Sequence, residues 1–449
     1  MKFLVFSVFF IICVNSSEIL NGYIGDCSLK SSFDANHDTL TFICVKSFRQ
    51  TDLFSESATS TCSEYTLTPS NTEFYKNQIV QISFEDCSMS NLGYRIFEVY
   101  KNVTVLNASH LGLESLQKLL FQEAKHLNHL DVSHNNIAEL SSFLFVNAEH
   151  LKEADFSFNH INRIDLLAFA GDSKLEQLSF AHNNITTLQK QLFDYLLNLR
   201  HLNLSHNSIT NLEEHTFDNL TNLKVLDLSF NPLEQLSIKT FASLTKLQRL
   251  NLSHTQLTEI KAKTLCRLEE LQTLDLSHNN LIVLDVRAFD GGIFLPKFDY
   301  LKTLFIGGNQ LNELNGFTSE RFPVMKIVGI PDNKFDCCYL IKLFRSIGWK
   351  QLELPFDDNS KHPNLTDSMG VKCNFGDEFL YEAESPHYTW AEILTVICIL
   401  LLALLFVMVG AIMKTTRKFR SSRTNENMNV PCDSISNFDN SNMYDVPKI

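Results

Sequence analysis

Two columns of titratable side chains recur at a fixed step, and both hold residue types that chemistry uses. Histidines stand at His110, His134, His182, His206, His254 and His278, with Phe158 and Phe230 filling the two remaining places. Carboxylates stand at Asp131, Asp155, Asp227 and Asp275. Paired carboxylates serve as general acid and base, while adjacent imidazoles can titrate together in mild acid, such as an endosome's, or attract a metal. Repetition argues against catalysis, because an active site needs one unique constellation and these columns are periodic. Each imidazole pair also lacks an obvious third ligand, so the column makes a poor zinc site and reads as turn residues of the phrase Ser-His-Asn. The sequence shows no nucleophile elbow, phosphate loop or metal motif. Neither an enzyme nor a cofactor is expected. The formal charge of −13 over 449 residues, with no basic stripe before the C-terminal segment, argues against nucleic acid as a partner.

The elements that must position these columns follow from the same step. Asn135, Asn159, Asn183, Asn207 and Asn231 are spaced by 24 residues, each within the phrase Leu-x-x-Leu-x-Leu-x-x-Asn-x-Leu. Leu199, Leu202, Leu204, Asn207 and Ile209 form one copy. Later copies end on Asn279, on Asn309 after a six-residue insertion near Gly291 and Gly292, and on Asn333. Backwards, the register places Leu111 and then Cys87 in the asparagine slot, so about eleven turns are expected. The alternating Leu-x-Leu core predicts a short strand with leucines inward and the intervening residues facing water. Each turn then adds one strand to a parallel sheet, giving an α/β solenoid. A buried amide both donates and accepts, so the asparagine column can satisfy backbone groups where the chain leaves the sheet. Thr255 interrupts that column and predicts a slightly weaker turn. On the opposite side Phe97, Phe121, Phe145, Phe169, Phe193, Phe217, Phe241 and Phe289 keep the same step, with Leu265 replacing Phe once. Burial of each ring is worth about 1.5–3 kcal/mol, and no turn can cover its own apolar edges without neighbours.

The ends of the chain set its compartment. Residues 1–16 have Lys2, an apolar run from Phe3 to Val14 and small residues beyond it, the pattern of a cleaved signal peptide. An uncharged apolar stretch at 393–413 matches the roughly 20 residues of a transmembrane helix, and Lys414, Arg417, Lys418, Arg420 and Arg423 follow it. The expected topology is single-pass type I in the plasma membrane, with the N-terminus extracellular. The remaining divisions are an N-terminal cysteine-containing cap at 17–78, the repeats at 79–336, a C-terminal cysteine cap at 337–374, a juxtamembrane stalk at 375–392 and a disordered tail at 414–449.

Eight cysteines fall outside the cell in this topology. Cys27, Cys44, Cys62 and Cys87 are candidates for disulfides of the N-terminal cap, with three connectivities open. Cys337, Cys338 and Cys373 are candidates at the other end, where adjacent cysteines reach different partners. Cys266 is a candidate free thiol, or one half of a disulfide to a second chain; internal pairing in a distorted cap is the alternative. Sequons at Asn102, Asn107, Asn184, Asn203, Asn219, Asn251 and Asn364 are glycosylation candidates. Asn107, Asn203 and Asn251 share one solvent-facing strand position, so sugars there would project from the sheet and move partner contact toward edges, convex face or caps.

The tail has no hydrophobic periodicity and is too short for a kinase domain, so any signal needs a recruited adaptor. Tyr444, Asp445 and Pro447 form a candidate phosphotyrosine site, which phosphorylation would equip with about −1.5 to −2 charges. An incidental exposed tyrosine is the alternative.

Across roughly 79–373 the repeated phrase resembles animal cell-surface leucine-rich-repeat proteins with 24-residue turns, including the ectodomains of Toll-like receptors. The double cysteine after the last turn resembles that of the insect leucine-rich immune proteins, some of them transmembrane. The membrane span and the lack of an evident coiled coil depart from their secreted members. The resemblance implies a horseshoe with a concave parallel sheet and a surface recognition receptor or co-receptor for protein or microbial ligands, plausible in innate immunity. It also implies dimers, disulfide-linked or not. An adhesion or scaffold protein without signalling is the competing class, and a ligand-binding decoy a third.

Overall fold

The computed structural model describes residues 28–34, 39–45, most of 79–353 and Cys373. The signal peptide, the expected span at 393–413, the tail with Tyr444, and Cys27, Cys62, Cys87 and Asn364 lie outside the described residues. Among those described, no helix is long and apolar enough to cross a membrane.

Thirteen strands form one sheet in chain order. β1 (Ser28–Asp34) and β2 (Thr39–Val45) are an antiparallel hairpin, and β2 runs parallel to β3 (Gln81–Glu85). Next come β4 (Val105–Asn107), β5 (His129–Asp131), β6 (Glu153–Asp155), β7 (Gln177–Ser179) and β8 (His201–Asn203). β9 (Val225–Asp227), β10 (Arg249–Asn251), β11 (Thr273–Asp275), β12 (Thr303–Phe305) and β13 (Lys326–Val328) complete it. Every neighbour from β2 onward is parallel, the arrangement the repeat phrase predicts: a parallel-sheet solenoid.

Register follows the repeat. The central residues Leu178, Leu202, Leu226, Leu250 and Leu274 stand opposite one another and are buried, while the residues on either side of each reach the surface. Period-2 alternation thus places one apolar side chain per strand in the core and two on the sheet's outer face. Behind the sheet the eight spine phenylalanines are all buried, with Leu265 filling its slot equally well. Their rings lie 5.0–6.1 Å apart in the pairs Phe97–Phe121, Phe121–Phe145, Phe145–Phe169 and Phe193–Phe217. Phe156 and Phe180 add a second stack and meet the spine edge-on at Phe145 and Phe169.

The asparagine column works as a strut between turns. Asn159 Nδ2 donates to Val132 O of the preceding turn and to Phe156 O of its own, while its Oδ1 accepts the Ile137 N–H. Asn183, Asn207 and Asn231 repeat this pattern. At Thr255 the hydroxyl bonds Leu252 O at 2.7 Å in its own turn and Asn279 Oδ1 at 2.9 Å in the next, without the asparagine's bond to the preceding turn, and the Leu233 N–H there, lacking an amide oxygen, bonds Asn231 O instead.

After the last strand, α1 (Cys337–Ile347) begins at Asp336, whose carboxylate accepts the Tyr339 N–H, and gives way to Gly348 at φ 85°. Leu340, Leu343, Phe344 and Ile347, spaced as one helix face, join the solenoid core. The cysteine doublet departs from expectation. Cys337 bonds Cys373, but Cys338 is a free, exposed thiol rather than half of a disulfide. Successive helix residues point about 100° apart, so the first cysteine faces the chain that returns at Cys373 and the second faces solvent. Cys266, expected free or intermolecular, is disulfide-bonded within the chain.

Candidate functional site

The outer face of the sheet carries two ladders of side chains. The third residue of each strand forms the inner ladder, and it has a structural job. Asp131 Oδ1 accepts the Ser133 N–H at 2.9 Å, and Asp155, Asp227 and Asp275 do the same for Ser157, Ser229 and Ser277. Asn107, Asn203 and Asn251 make the same bond to Ser109, Ser205 and Ser253. From β4 to β11 a short side chain with an oxygen stands where the chain turns out of the strand, which explains why Asp and Asn alternate freely there, whereas Phe305 in β12 and Val328 in β13 hold the place without one. The carboxylate column is therefore a series of turn caps. The three strand sequons fit the same rule: the amide oxygen makes the cap, and the nitrogen, where a sugar attaches, is left for other use. In Asn251 that nitrogen donates to Asp227 Oδ2 at 3.1 Å. Asn102, Asn184 and Asn219 lie on the surface, and Asn219 Nδ2 donates to Asp194 Oδ1.

The first residue of each strand forms the variable ladder: Gln81, Val105, His129, Glu153, Gln177, His201, Val225 and Arg249. With the inner ladder from Asn107 to Asp227 most of these line an open depression of about 560 Å³. Glu153 sits at its centre, accepting from Gln177 Nε2 at 2.6 Å and lying 3.4 Å from His129 Nε2. His201 is different. Its Nδ1 is buried without a hydrogen-bond partner, and burial, followed by the charges of Arg249, Lys224 and Arg200, lowers its pKa below the usual 6.5.

At the end of the strands the histidine column becomes a continuous pile of rings. His110, His134, Phe158, His182, His206, Phe230, His254 and His278 stack face to face with centroids 3.9–4.3 Å apart and planes within 7–13°. All eight have φ of 53–58°, a left-handed conformation that histidine tolerates better than most residues. Backbone bonds between turns, such as His134 N–H to Ser157 O and His182 N–H to Ser205 O, hold the rings in step. The two phenylalanines that look like interruptions in the sequence are members of the stack. It ends at Gly308, φ 66°, where any Cβ would fall 2.5 Å from His278 Nδ1. Burial, then the charges of His206 and His134, lower the pKa of His182; burial and His278 lower that of His254, against an opposing pull from Asp275. Among the described residues no three His, Cys, Asp or Glu side chains converge as a metal ion would require.

Two sequence-family models match the chain. The family model "Leucine rich repeat" matches residues 173–233 and 221–281, and "BspA type Leucine rich repeat region (6 copies)" matches 17–152 and 66–200. No curated protein matches the chain. Among solved structures, the chain is similar to TLR13 in its complex with ssRNA13, at 23% identity over 65% of this chain and 54% of that one, TM-score 0.46. It is similar to the Toll–Spatzle complex of Drosophila at 21% identity over 66% and 47%, TM-score 0.46. It is also similar to the leucine-rich repeat domain of APL1B at 22% identity over 65% and 85%, TM-score 0.47. The chain spans about half the length of the first two, at 54% and 47%. Likeness at this level says nothing about ligand or partner. By its matching sequence models and its stacked parallel strands joined through an asparagine column, the chain is a leucine-rich-repeat protein.

Proposed function

We propose that this chain is a type I cell-surface recognition receptor or co-receptor that binds a protein or microbial ligand through its repeats, acts in innate immunity, and signals through adaptors recruited to its tail. The observation that carries the reading is the division of labour on the sheet. One ladder is held constant by its turn-capping job, while the neighbouring ladder changes charge and shape at every step, from His129 to Glu153, Val225 and Arg249. A periodic frame that presents a non-periodic surface suits recognition of a large partner, because each turn supplies an independent contact. Such repeats are typically protein-binding scaffolds without catalytic activity.

Compartment follows from the sequence. The leader at 1–16, the apolar stretch at 393–413 and the basic residues after it put the repeats outside the cell and the tail inside. Asn107 and Asn203 line the depression, so sugars there would narrow the approach to the stretch between them, near Glu153 and Gln177. Cys338, free and exposed on α1, is placed to join two chains by a disulfide.

The test is capture from intact cells. Full-length chain, cross-linked at the cell surface and run with and without reductant, should bring down a partner that Glu153→Lys with Val225→Lys releases. Undiminished capture by that variant would overturn recognition through the sheet face. A species of doubled mass that vanishes on reduction and in Cys338→Ser would support the disulfide-linked dimer, and a monomer indifferent to reductant would remove it.

A further inference from the structure

Along the edge where the chain enters the strands, cations accumulate in an otherwise acidic molecule. A cleft of about 410 Å³ there is lined by Asn198, Arg200, Asn222, Lys224, Lys246, Gln248 and Glu270. Asn222, Lys224 and Gln248 form its half-buried floor, and Arg200, Lys246 and Glu270 its exposed rim. Two of the three cations already have partners: Arg200 lies 3.4 Å from Glu176, and Lys246 Nζ donates to Asn222 Oδ1 at 2.9 Å. Lys224 has no carboxylate within ion-pairing distance among the described residues. Lys224 stands beside Arg200 and Lys246 in the cleft without a carboxylate of its own, so an anion there would supply the partner it lacks. The local field agrees. His201, next along the chain from Arg200, has a buried Nδ1 without a partner, and the nearby charges of Arg249, Lys224 and Arg200 disfavour its protonation.

We propose that this cleft binds a sulfated oligosaccharide. Its lining contains no apolar or aromatic side chain, which excludes the anchors that peptides and stacked bases use. What it offers is alternation: the amides of Asn198, Asn222 and Gln248, which donate and accept as sugar hydroxyls do, beside the cations Arg200, Lys224 and Lys246, which outnumber the one carboxylate, Glu270, that accepts from Gln248 Nε2. The residues come from successive turns about 4.8 Å apart, so the cleft meets an extended polyanion and not one ion. The edge also stands at the opposite end of the strands from the sequons at Asn203 and Asn251, so sugars there leave it open. The inference does not depend on which partner the sheet face binds.

The experiment is calorimetric titration of the purified full chain with a heparin-derived octasaccharide, its desulfated counterpart, and a poly-glutamate peptide of equal charge. The octasaccharide should bind and the desulfated form should not. Lys224→Gln should weaken binding about fivefold, and Lys224→Gln with Lys246→Gln about 25-fold, as loss of one and then two screened cations predicts. Lys152→Gln, in the same column two turns before Arg200, should bind normally. Circular dichroism matching the parent chain separates lost binding from lost fold, and Asn222→Asp, which adds a charge without changing shape, repeats the test if either lysine variant misfolds. Equal binding of the desulfated sugar, tighter binding of poly-glutamate, or indifference to Lys224 and Asn222 would each overturn the proposal. None of these outcomes affects capture through Glu153 and Val225.

Discussion

Replacing Asn207 by alanine should loosen the solenoid at one defined place. The amide makes four contacts: Oδ1 accepts the Ile185 N–H at 3.0 Å, and Nδ2 donates to Phe180 O at 2.8 Å, Leu204 O at 3.1 Å and Ser205 O at 3.2 Å. The carbonyls do not become orphans, because Phe180 O keeps Asn183 Nδ2 and Leu204 O keeps Asn231 Nδ2. The Ile185 N–H does. An unsatisfied buried donor costs about 1–3 kcal/mol, and the two lost amide protons add about 1 kcal/mol each, so the turn should lose about 3–5 kcal/mol. Asn207→Thr should lose about 1–2 kcal/mol, since Thr255 shows that a hydroxyl keeps the bond within its own turn and lets the preceding N–H find a local carbonyl. Thr255→Asn should gain about 1 kcal/mol by the same reasoning. The assay is hydrogen exchange by mass spectrometry, read on the segment containing Ile185. Exchange should accelerate about a hundredfold or more in Asn207→Ala, by less in Asn207→Thr, and remain unchanged in distant turns. Equal exchange in parent and Asn207→Ala would refute the idea that the asparagine column couples one turn to the next.

Phe193→Ala, which removes a buried spine ring, should cost about 3–5 kcal/mol in urea unfolding, and a cost below about 1 kcal/mol would contradict the spine's role. His206→Val forces a β-branched residue to φ 53° and should cost about 1–3 kcal/mol, whereas His206→Asn should be nearly neutral; equal effects would mean the left-handed turn is not the constraint. His182 and His254 have folded-state pKa values below the ordinary 6.5, so the unfolded chain binds protons more readily. The stability they contribute is complete above about pH 6.5 and is lost as pH falls through that value toward their lowered pKa, so unfolding midpoints should drop between about pH 7.5 and about pH 5.5. His182→Phe with His254→Phe should lessen that drop. Cys338 should react with a maleimide in the native protein, and Cys338→Ser should abolish labelling of the peptide that contains α1.

Much of the architecture was legible because the repeat imposes geometry. Leucines at alternate positions can bury only one face of a strand, and a 24-residue step can only bring like residues into one column, so sheet, spine and asparagine strut all follow from counting. What counting could not supply was local bonding. Asp131 and Asn203 look chemically different, yet both serve as an acceptor for the N–H two residues on, and that shared job appears only once the turn is built. Spacing puts Phe158 and Phe230 in the histidine column, but it reports position and not the parallel orientation that the shared left-handed backbone imposes on the rings. The cysteines at the end of the repeats were missed in part for a similar reason, since the fate of Cys338 depends on its place on α1. The cationic cleft draws on Asn198 and Arg200, Asn222 and Lys224, and Lys246 and Gln248, whose adjacency is a property of stacked turns and is invisible in any single one.

The proposal that this solenoid faces outward as a recognition surface is tested most directly by where it stands relative to the membrane. An epitope tag placed after Ser17 and a second tag at the C-terminus should be stained differently on cells: the first by antibody on intact cells, the second only after permeabilisation. If both tags stain only after permeabilisation, the recognition receptor proposed here cannot be what this chain is.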